Sequence, residues 1–337
     1  MDLGLNEMDP LSQGVLGASA AQSASHCRNV GRAGLIGMLA GMAPDADVFI
    51  RSAEDPLLAL EFHRQFTHAL AFIPLGALLV ALLLHPIIAR RAFGFGTTYL
   101  FCLVGYATHG LLDACTTYGT QLLWPFSTMR VAWNNVSVID PLFTLPILLL
   151  VLVSYWRKSP TWARCALVWA VAYLLLGVVQ RDRAATLGHD IAAARGHDVV
   201  RLEAKPTFGN LVVWKIVYET EDKFFVDAVR MGIKSRHYEG ASIDKLNIAR
   251  DFPWLHPASQ QAKDIERFRW FSNHYLAIAK DHSIIDVRYS LVPNEIDALW
   301  RIALNPSAAF DEHVQYVTRR TVTDAKWQAF RRMLFGN

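Results

Sequence analysis

The sequence predicts a mainly α-helical polytopic membrane domain, with four long spans and short embedded N-terminal helices, followed by an α+β extramembrane domain. Composition is the first reason: of 337 residues 53% are hydrophobic and only 19% charged, too apolar for an ordinary soluble protein of this size. The second is distribution, since long charge-free runs lie almost entirely before residue 181. The third is the mixed charge of the remainder, typical of a water-soluble domain. Together they divide the chain into a membrane part, 1–181, and a soluble part, 182–337.

Leu11 to Met42 is rich in Gly and Ala and is interrupted around His26 to Arg32, which reads as two short, partly embedded helices. Gly37-x-x-x-Gly41 permits close helix contact there, or marks a small-residue helix with no pairing role. A bilayer core asks for about 20 apolar residues per helix. Ala69 to Ile88, Phe95 to Leu112, Pro141 to Trp156 and Trp162 to Val179 come near that, with Pro146 a tolerated kink in the third. Arg90, Arg91, Arg157, Lys158 and Arg164 flank one set of ends and should face the cytoplasm. Arg181 and Arg183 count against that orientation without reversing it. The N-terminus lacks the charged region and apolar core of a cleavable signal, so the internal spans should drive insertion.

In the second part, Leu211 to Thr220 and Lys223 to Ile233 alternate as paired strands about a Glu221-Asp222 turn. Ser283 to Leu291 and His313 to Thr321 read as further strands, and Ala262 to Asn273 and Asp324 to Phe335 as helices. With 33 basic and 30 acidic residues, a net charge of +3 and no basic tract, nucleic acid is not an expected partner. Cys27, Cys102, Cys115 and Cys165 form no C-x-x-C, hence neither a disulfide framework nor a thiolate metal site.

Three short segments place ionisable side chains beside apolar spans, where an uncompensated charge is costly. They are Pro44-Asp45-Ala46-Asp47, His63-Arg64-Gln65-Phe66-Thr67-His68, and His109-Gly110-Leu111-Leu112-Asp113. With four spans, all three share one membrane face, and so does everything after Val179. His109 and Asp113 are four residues apart on one helix face and can share a cation. Asp45 and Asp47 follow a helix-ending proline, in a loop able to turn both carboxylates to one point. His63 and His68 are about 140° apart on an ideal helix, so Thr67 should cap the span and leave His63 on the preceding loop. Three imidazoles and three carboxylates suit zinc, manganese or iron better than calcium or magnesium. Six ligands exceed one tetrahedral zinc, which favours two cations clamping a phosphoester. A lone histidine at a membrane edge is ordinarily an interfacial residue, and an aspartate after proline a cap; three such groups on one side point to metal.

The same residues carry a family resemblance. Asp45 and Asp47, the His63-Arg64-x-Phe66-Thr67-His68 run, and Gly105-Tyr106-x-x-His109-x-x-x-Asp113-x-x-Thr116-x-x-Gly119 followed by Leu123-Trp124-Pro125 resemble the successive signatures of the YdjM-like membrane-bound metal-dependent hydrolases. The resemblance covers about residues 9–145, and members with a YfhP-like soluble tail extend it loosely to the end. It implies a multi-pass metallohydrolase of the bacterial inner membrane, with the His and Asp residues above as ligands and no known substrate. Where many relatives have Thr-His after Asp9-Pro10, this chain has Ser12-Gln13; Gln13 could ligate weakly or hydrogen-bond a bound water. Arg64 is a candidate to hold a substrate phosphate or to anchor a headgroup. Thr116, Thr117 and Asp140 look like supporting partners, Asp140 equally the cap of the next span, and His85 looks interfacial. The histidines of the soluble part read as surface residues.

The expected chemistry is attack on an ester by cation-activated water, Asp45 or Asp47 serving as base and Arg64 assisting. A site at the bilayer surface suggests a lipid or lipid-linked phosphoester, with site and soluble domain on the external, periplasmic side. A metal or proton transporter is one rival, and a scaffold with a structural metal and a protein partner on the soluble domain another. H-E-x-x-H is absent, against a metalloprotease.

Overall fold

The computed structural model describes residues 9–319 and 321–336; residues 1–8, on which part of the signal expectation falls, lie outside the described residues. The chain forms two compact units: Met1–Phe49, Phe62–Val179 and Phe208–Asn210 make the first, and Ile50–Glu61, Gln180–Thr207 and Leu211–Asn337 the second.

The first unit opens with α1 (Pro10–Ser23), whose start is set by Asp9: its carboxylate accepts the Leu11 N–H, with Pro10 at the first helical position. After a break at Ala24–Asn29, α2 (Val30–Met42) runs directly into a 3-10 turn, Ala43–Phe49. The short α3 (Leu58–Phe62) brings the chain back from the second unit. Two 3-10 turns, Phe66–His68 and Leu70–Phe72, lead into α4 (Ile73–Leu84), which a π-turn extends to Ala89. Next come α5 (Phe95–Cys115), α6 (Pro141–Arg157) and α7 (Pro160–Ala194). Glycine is what lets α1, α2 and α5 touch along their backbones. A Cβ at Gly37 would lie 2.3 Å from the Gly17 carbonyl oxygen, and one at Gly105 would lie 2.6 Å from that of Gly37. The small-residue pattern thus serves helix packing inside the unit.

Among the described residues two helices, not four, are both long and apolar enough to cross a bilayer: Leu70–Ala89, with mean hydropathy 2.3, and Pro160–Ala194, with 1.9. Only 22% and 28% of these stretches is buried within the protein, unlike the core helix of a soluble fold. The four expected spans are corrected on physical grounds. The α6 helix has 17 residues, and α5, though 21 residues long, carries His109 and Asp113, which lower its apolarity. The helix that carries the last expected span does not stop at Val179; α7 continues for four more turns of polar helix to Ala194.

In the second unit, β1 (Arg201–Pro206), β2 (Val213–Glu219), β3 (Lys223–Met231) and β4 (Ser235–Asp244) form an antiparallel sheet in that order. The β2–β3 pair turns through Glu221-Asp222, as the alternation predicts. After α8 (Ile248–Asp251) and α9 (Gln260–Phe271) comes a second antiparallel sheet of β5 (Leu276–Ile278), β6 (Ile284–Asp286), β7 (Trp300–Ala303) and β8 (Gln315–Thr318), then α10 (Asp324–Phe335). Ser259 and Thr323 cap α9 and α10 by accepting the N–H of Ala262 and Lys326. Val217, Phe224, Tyr275, Ile285 and Val287 fill a core between elements of both sheets. The segment Ile50–Glu61 belongs to this unit and is clasped by Arg267, which binds both oxygens of Asp55 at 2.9 and 2.7 Å and Glu61 at 2.5 Å.

Candidate metal centre

Each ligand-bearing segment is shaped by its local backbone. Asp45 and Asp47 sit on a 3-10 turn rather than a loose loop. Both still offer an oxygen to one point with His63, their ligand atoms lying within 4.8 Å of one another. Arg64 has φ +65°, a left-handed turn rare for a side-chain-bearing residue, and it breaks the helix between His63 and His68. Thr67 does not cap the span, as the spacing suggested: α4 starts at Ile73 without a side-chain cap, and the Thr67 hydroxyl donates to Asp47 Oδ2 at 2.9 Å. On α5, Gly110 is required by contact, since a Cβ there would lie 2.3 Å from the His68 carbonyl oxygen.

The result is one buried cluster. His68, His109, Asp113, Gln13 and Arg64 are 0–1% exposed. Asp45, His68, His109 and Asp113 offer donor atoms all within 4.8 Å of one another, and Asp45, Asp47 and His63 form a second such group sharing Asp45. His109 Nδ1 donates to the Gly41 carbonyl at 2.6 Å, which fixes the tautomer and leaves Nε2 a bare acceptor. His68 Nδ1 is engaged by Thr67 Oγ1 at 2.9 Å and Asp47 Oδ2 at 3.3 Å. The two Nε2 atoms then face each other at 2.9 Å, with Asp45 Oδ1 at 3.5 and 3.2 Å from them and Asp113 Oδ2 at 3.2 and 3.7 Å.

Two lone-pair nitrogens and two carboxylate oxygens turned on one point make a poor hydrogen-bond network but a fitting set of cation ligands. Both Asp45 oxygens, His63 Nε2 and Asp113 Oδ2 are buried without a hydrogen-bond partner. Such orphans are rare in folded proteins and ask for an ion or water. Burial would raise the Asp45 carboxyl, but His109 and His68 hold it well below the usual carboxylate range. Burial opposes His63 and His68 in the same way at Asp47, and again the histidines prevail.

The surrounding groups position these ligands. Gln13 Nε2 donates to Asp113 Oδ1 at 2.8 Å, leaving its own amide oxygen buried and without a partner. Arg64 Nε lies 3.0 Å from Asp113 Oδ2 and its Nη1 donates to Thr116 Oγ1 at 3.0 Å, so this guanidinium sits beneath the cluster instead of reaching outward. Asp47 is fully engaged: His63 Nδ1 at 2.9 Å, the Arg64 N–H at 3.0 Å, Thr67 and His68. Asp140 is the cap of α6 and an acceptor from Tyr173, not a partner of the cluster. His85 pairs with Thr98 at 3.0 Å. Three histidines of the second unit are more than surface residues: His237 binds Asp227, His313 binds Asp264, and His197 binds Tyr218. Sequence reasoning missed the Gly41 carbonyl and the Tyr106 hydroxyl, which donates to the Thr67 carbonyl at 2.8 Å; nothing in spacing signals a backbone acceptor.

The cluster lies in the part of the chain that resembles known proteins. The family model described as "YdjM inner membrane protein" matches residues 8–184, which hold every residue of the cluster. The chain is 26% identical over 268 residues to the uncharacterized protein YfhP of Bacillus subtilis (strain 168), covering 76% of this chain and 77% of that one. It is 36% identical over 108 residues to the inner membrane protein YbcI of Escherichia coli (strain K12), covering 30% of this chain and 60% of that one. No solved structure matches it. With more than half its length matched, the chain belongs to the YdjM inner membrane protein family.

Proposed function

We propose that the protein is an integral membrane metal-dependent hydrolase that cleaves a phosphoester of a lipid or lipid-linked substrate. The observation that carries this reading is the convergence of His68 Nε2, His109 Nε2, Asp45 Oδ1 and Asp113 Oδ2. The charge of the cluster points the same way. The Arg64 guanidinium pairs with Asp113 alone, which leaves the two negative charges of Asp45 and Asp47 when the histidines are neutral, the complement of one divalent cation. Zinc, manganese or iron fits the mixed nitrogen and oxygen donors. A second cation would share Asp45 with Asp47 and His63, although Asp47 already accepts from four groups.

A bound cation supplies Lewis acidity, polarising the phosphoryl oxygen and acidifying a coordinated water. The chain's own residues do the rest. Gln13 and Arg64 hold the two oxygens of Asp113, Asp47 orients His63 and His68, and Asp45, with an oxygen to spare, is the acceptor for the proton released on attack. The Gln13 amide oxygen is free to take a hydrogen bond from the attacking group. Arg90, Arg91, Arg157, Lys158 and Arg164 support a cytoplasmic side for the ends they flank, and with it an external face for the cluster.

The test is metal analysis of the purified full chain together with hydrolysis of a phosphoester panel in lipid micelles. Bound divalent cation, turnover abolished by chelation, and loss of both in His109→Ala and Asp113→Ala are expected. Turnover that survives in either variant, or in chelated protein, overturns the proposal.

A further inference from the structure

One exposed feature lies beside the cluster and takes no part in it. The Thr120–Val131 pair, with backbone bonds of 2.9 and 2.8 Å, closes a loop at its base. Inside it, Leu123, Phe126 and Met129 are 45%, 87% and 57% exposed, and Leu122 to Met129 includes no charged residue. Water-facing loops are ordinarily built from polar and turn-forming residues. Here the backbone fixes the tips outward: the Phe126 and Ser127 N–H groups bond the Leu123 carbonyl at 2.9 and 3.1 Å, and the Phe66 and Trp124 rings meet at 6.2 Å. The cation that follows the loop, Arg130, donates to the Tyr118 and Gly119 carbonyls.

What covers these tips follows from what the loop is tied to. The Leu70 N–H bonds the Leu122 carbonyl at 3.0 Å, and Leu70 is the first residue of the apolar span Leu70–Ala89. The loop therefore stands where a membrane helix begins. One residue earlier, the Gln121 N–H bonds the carbonyl of Arg64 at 2.9 Å, which fixes the loop to the cluster.

We propose that Leu122–Met129 is a bilayer-inserted wedge: Leu123, Phe126 and Met129 lie among acyl chains and hold the cluster at headgroup depth. Exposed apolar side chains anchoring at that boundary are a recognised mode of membrane attachment. Resting on the hydrolase reading, this narrows the substrate to an ester at the headgroup of a lipid in the same leaflet.

The test uses the full chain with Cys27 and Cys165, the two exposed cysteines, replaced by serine. Phe126→Cys, carrying an environment-sensitive fluorophore, is reconstituted in vesicles of phosphatidylethanolamine and phosphatidylglycerol. Blue-shifted emission, quenching by spin-labelled lipid and protection from aqueous iodide are expected. A label quenched by iodide and not by lipid overturns the wedge, and one shielded from both overturns it in favour of a protein cover, such as a second copy. Zinc analysis of Phe126→Ser/Met129→Ser, expected to match the parent, separates the two readings. A parent that binds no zinc sinks the metal reading and leaves the fluorophore to decide the wedge.

Discussion

Asp264 and Asp227 of the second unit are as deeply buried as Asp113 of the first, all at 0% exposure, yet their surroundings differ in kind. Asp264 accepts from Gln260 and Arg267 on one oxygen and from His313 and the Val314 N–H on the other. Asp227 accepts from Arg195 on both oxygens and from His237 and the Gly240 N–H. Each has an arginine, a histidine and a full set of donors, so charge and hydrogen bonding are complete within the protein. In the first unit the cluster's one arginine pairs with Asp113, and both oxygens of Asp45 lack a donor. A buried carboxylate with all its donors is a structural pin; one without them is open to an ion or a water.

That contrast breaks most plainly under mutation. His109→Ala and Asp113→Ala should lose bound cation entirely and turnover with it, while Asp264→Ala should retain stoichiometric cation; metal analysis by mass spectrometry decides. Asp264→Ala should instead destabilise the second unit by about 1–3 kcal/mol, because it leaves the buried Val314 N–H without its acceptor, and denaturant titration of the full chain in detergent measures that loss. Asp47→Asn and Gln13→Ala, which remove orienting partners and not the converging atoms, should weaken cation affinity about 10–100-fold. Competition with a chelating dye reads this, and an unchanged affinity would remove Asp47 and Gln13 from the support of the site.

The smallest effect concerns Lys215, a buried charge in the second unit that reaches Ser290 Oγ and the Glu295 carbonyl. Burial pushes its amine down to about 7, with Asp286 and Glu295 pulling the other way. Below pH 7 it is protonated folded and unfolded, and no slope results. From about 7 towards its ordinary value near 10.4 only the unfolded chain holds the proton, so stability should rise with pH, by at most about 1.4 kcal/mol per unit. Lys215→Met should flatten that slope between pH 7 and 9.

Parts of this could be read from the chain alone. The β2–β3 hairpin follows from alternation about Glu221-Asp222, and α10 occupies the predicted Asp324–Phe335. β1, β4, β5 and β7 did not announce themselves. β5 and β7 have three and four residues, too few for a period to show, and β4 is a largely exposed strand with a polar sequence. The pairing of His109 with Asp113 follows from the i, i+4 rule, and the break between His63 and His68 from their angular mismatch. Arg64 shows the limit: its charge and position suggested a substrate clamp, whereas its place beneath Asp113 depends on a left-handed turn that only the folded backbone reveals.

By itself the sequence determined what local periodicity and residue chemistry determine: the apolar helices, the hairpin, and the residue types able to bind a cation. Which carboxylates are complete and which are left open, the docking of Ile50–Glu61 with the second unit, and the outward set of Phe126 were decided by tertiary structure. The physical reason is that hydrogen-bond satisfaction and burial are sums over neighbours distant in sequence. Gly41, Gln13 and Asp113 meet only because glycine contacts bring α1, α2 and α5 together.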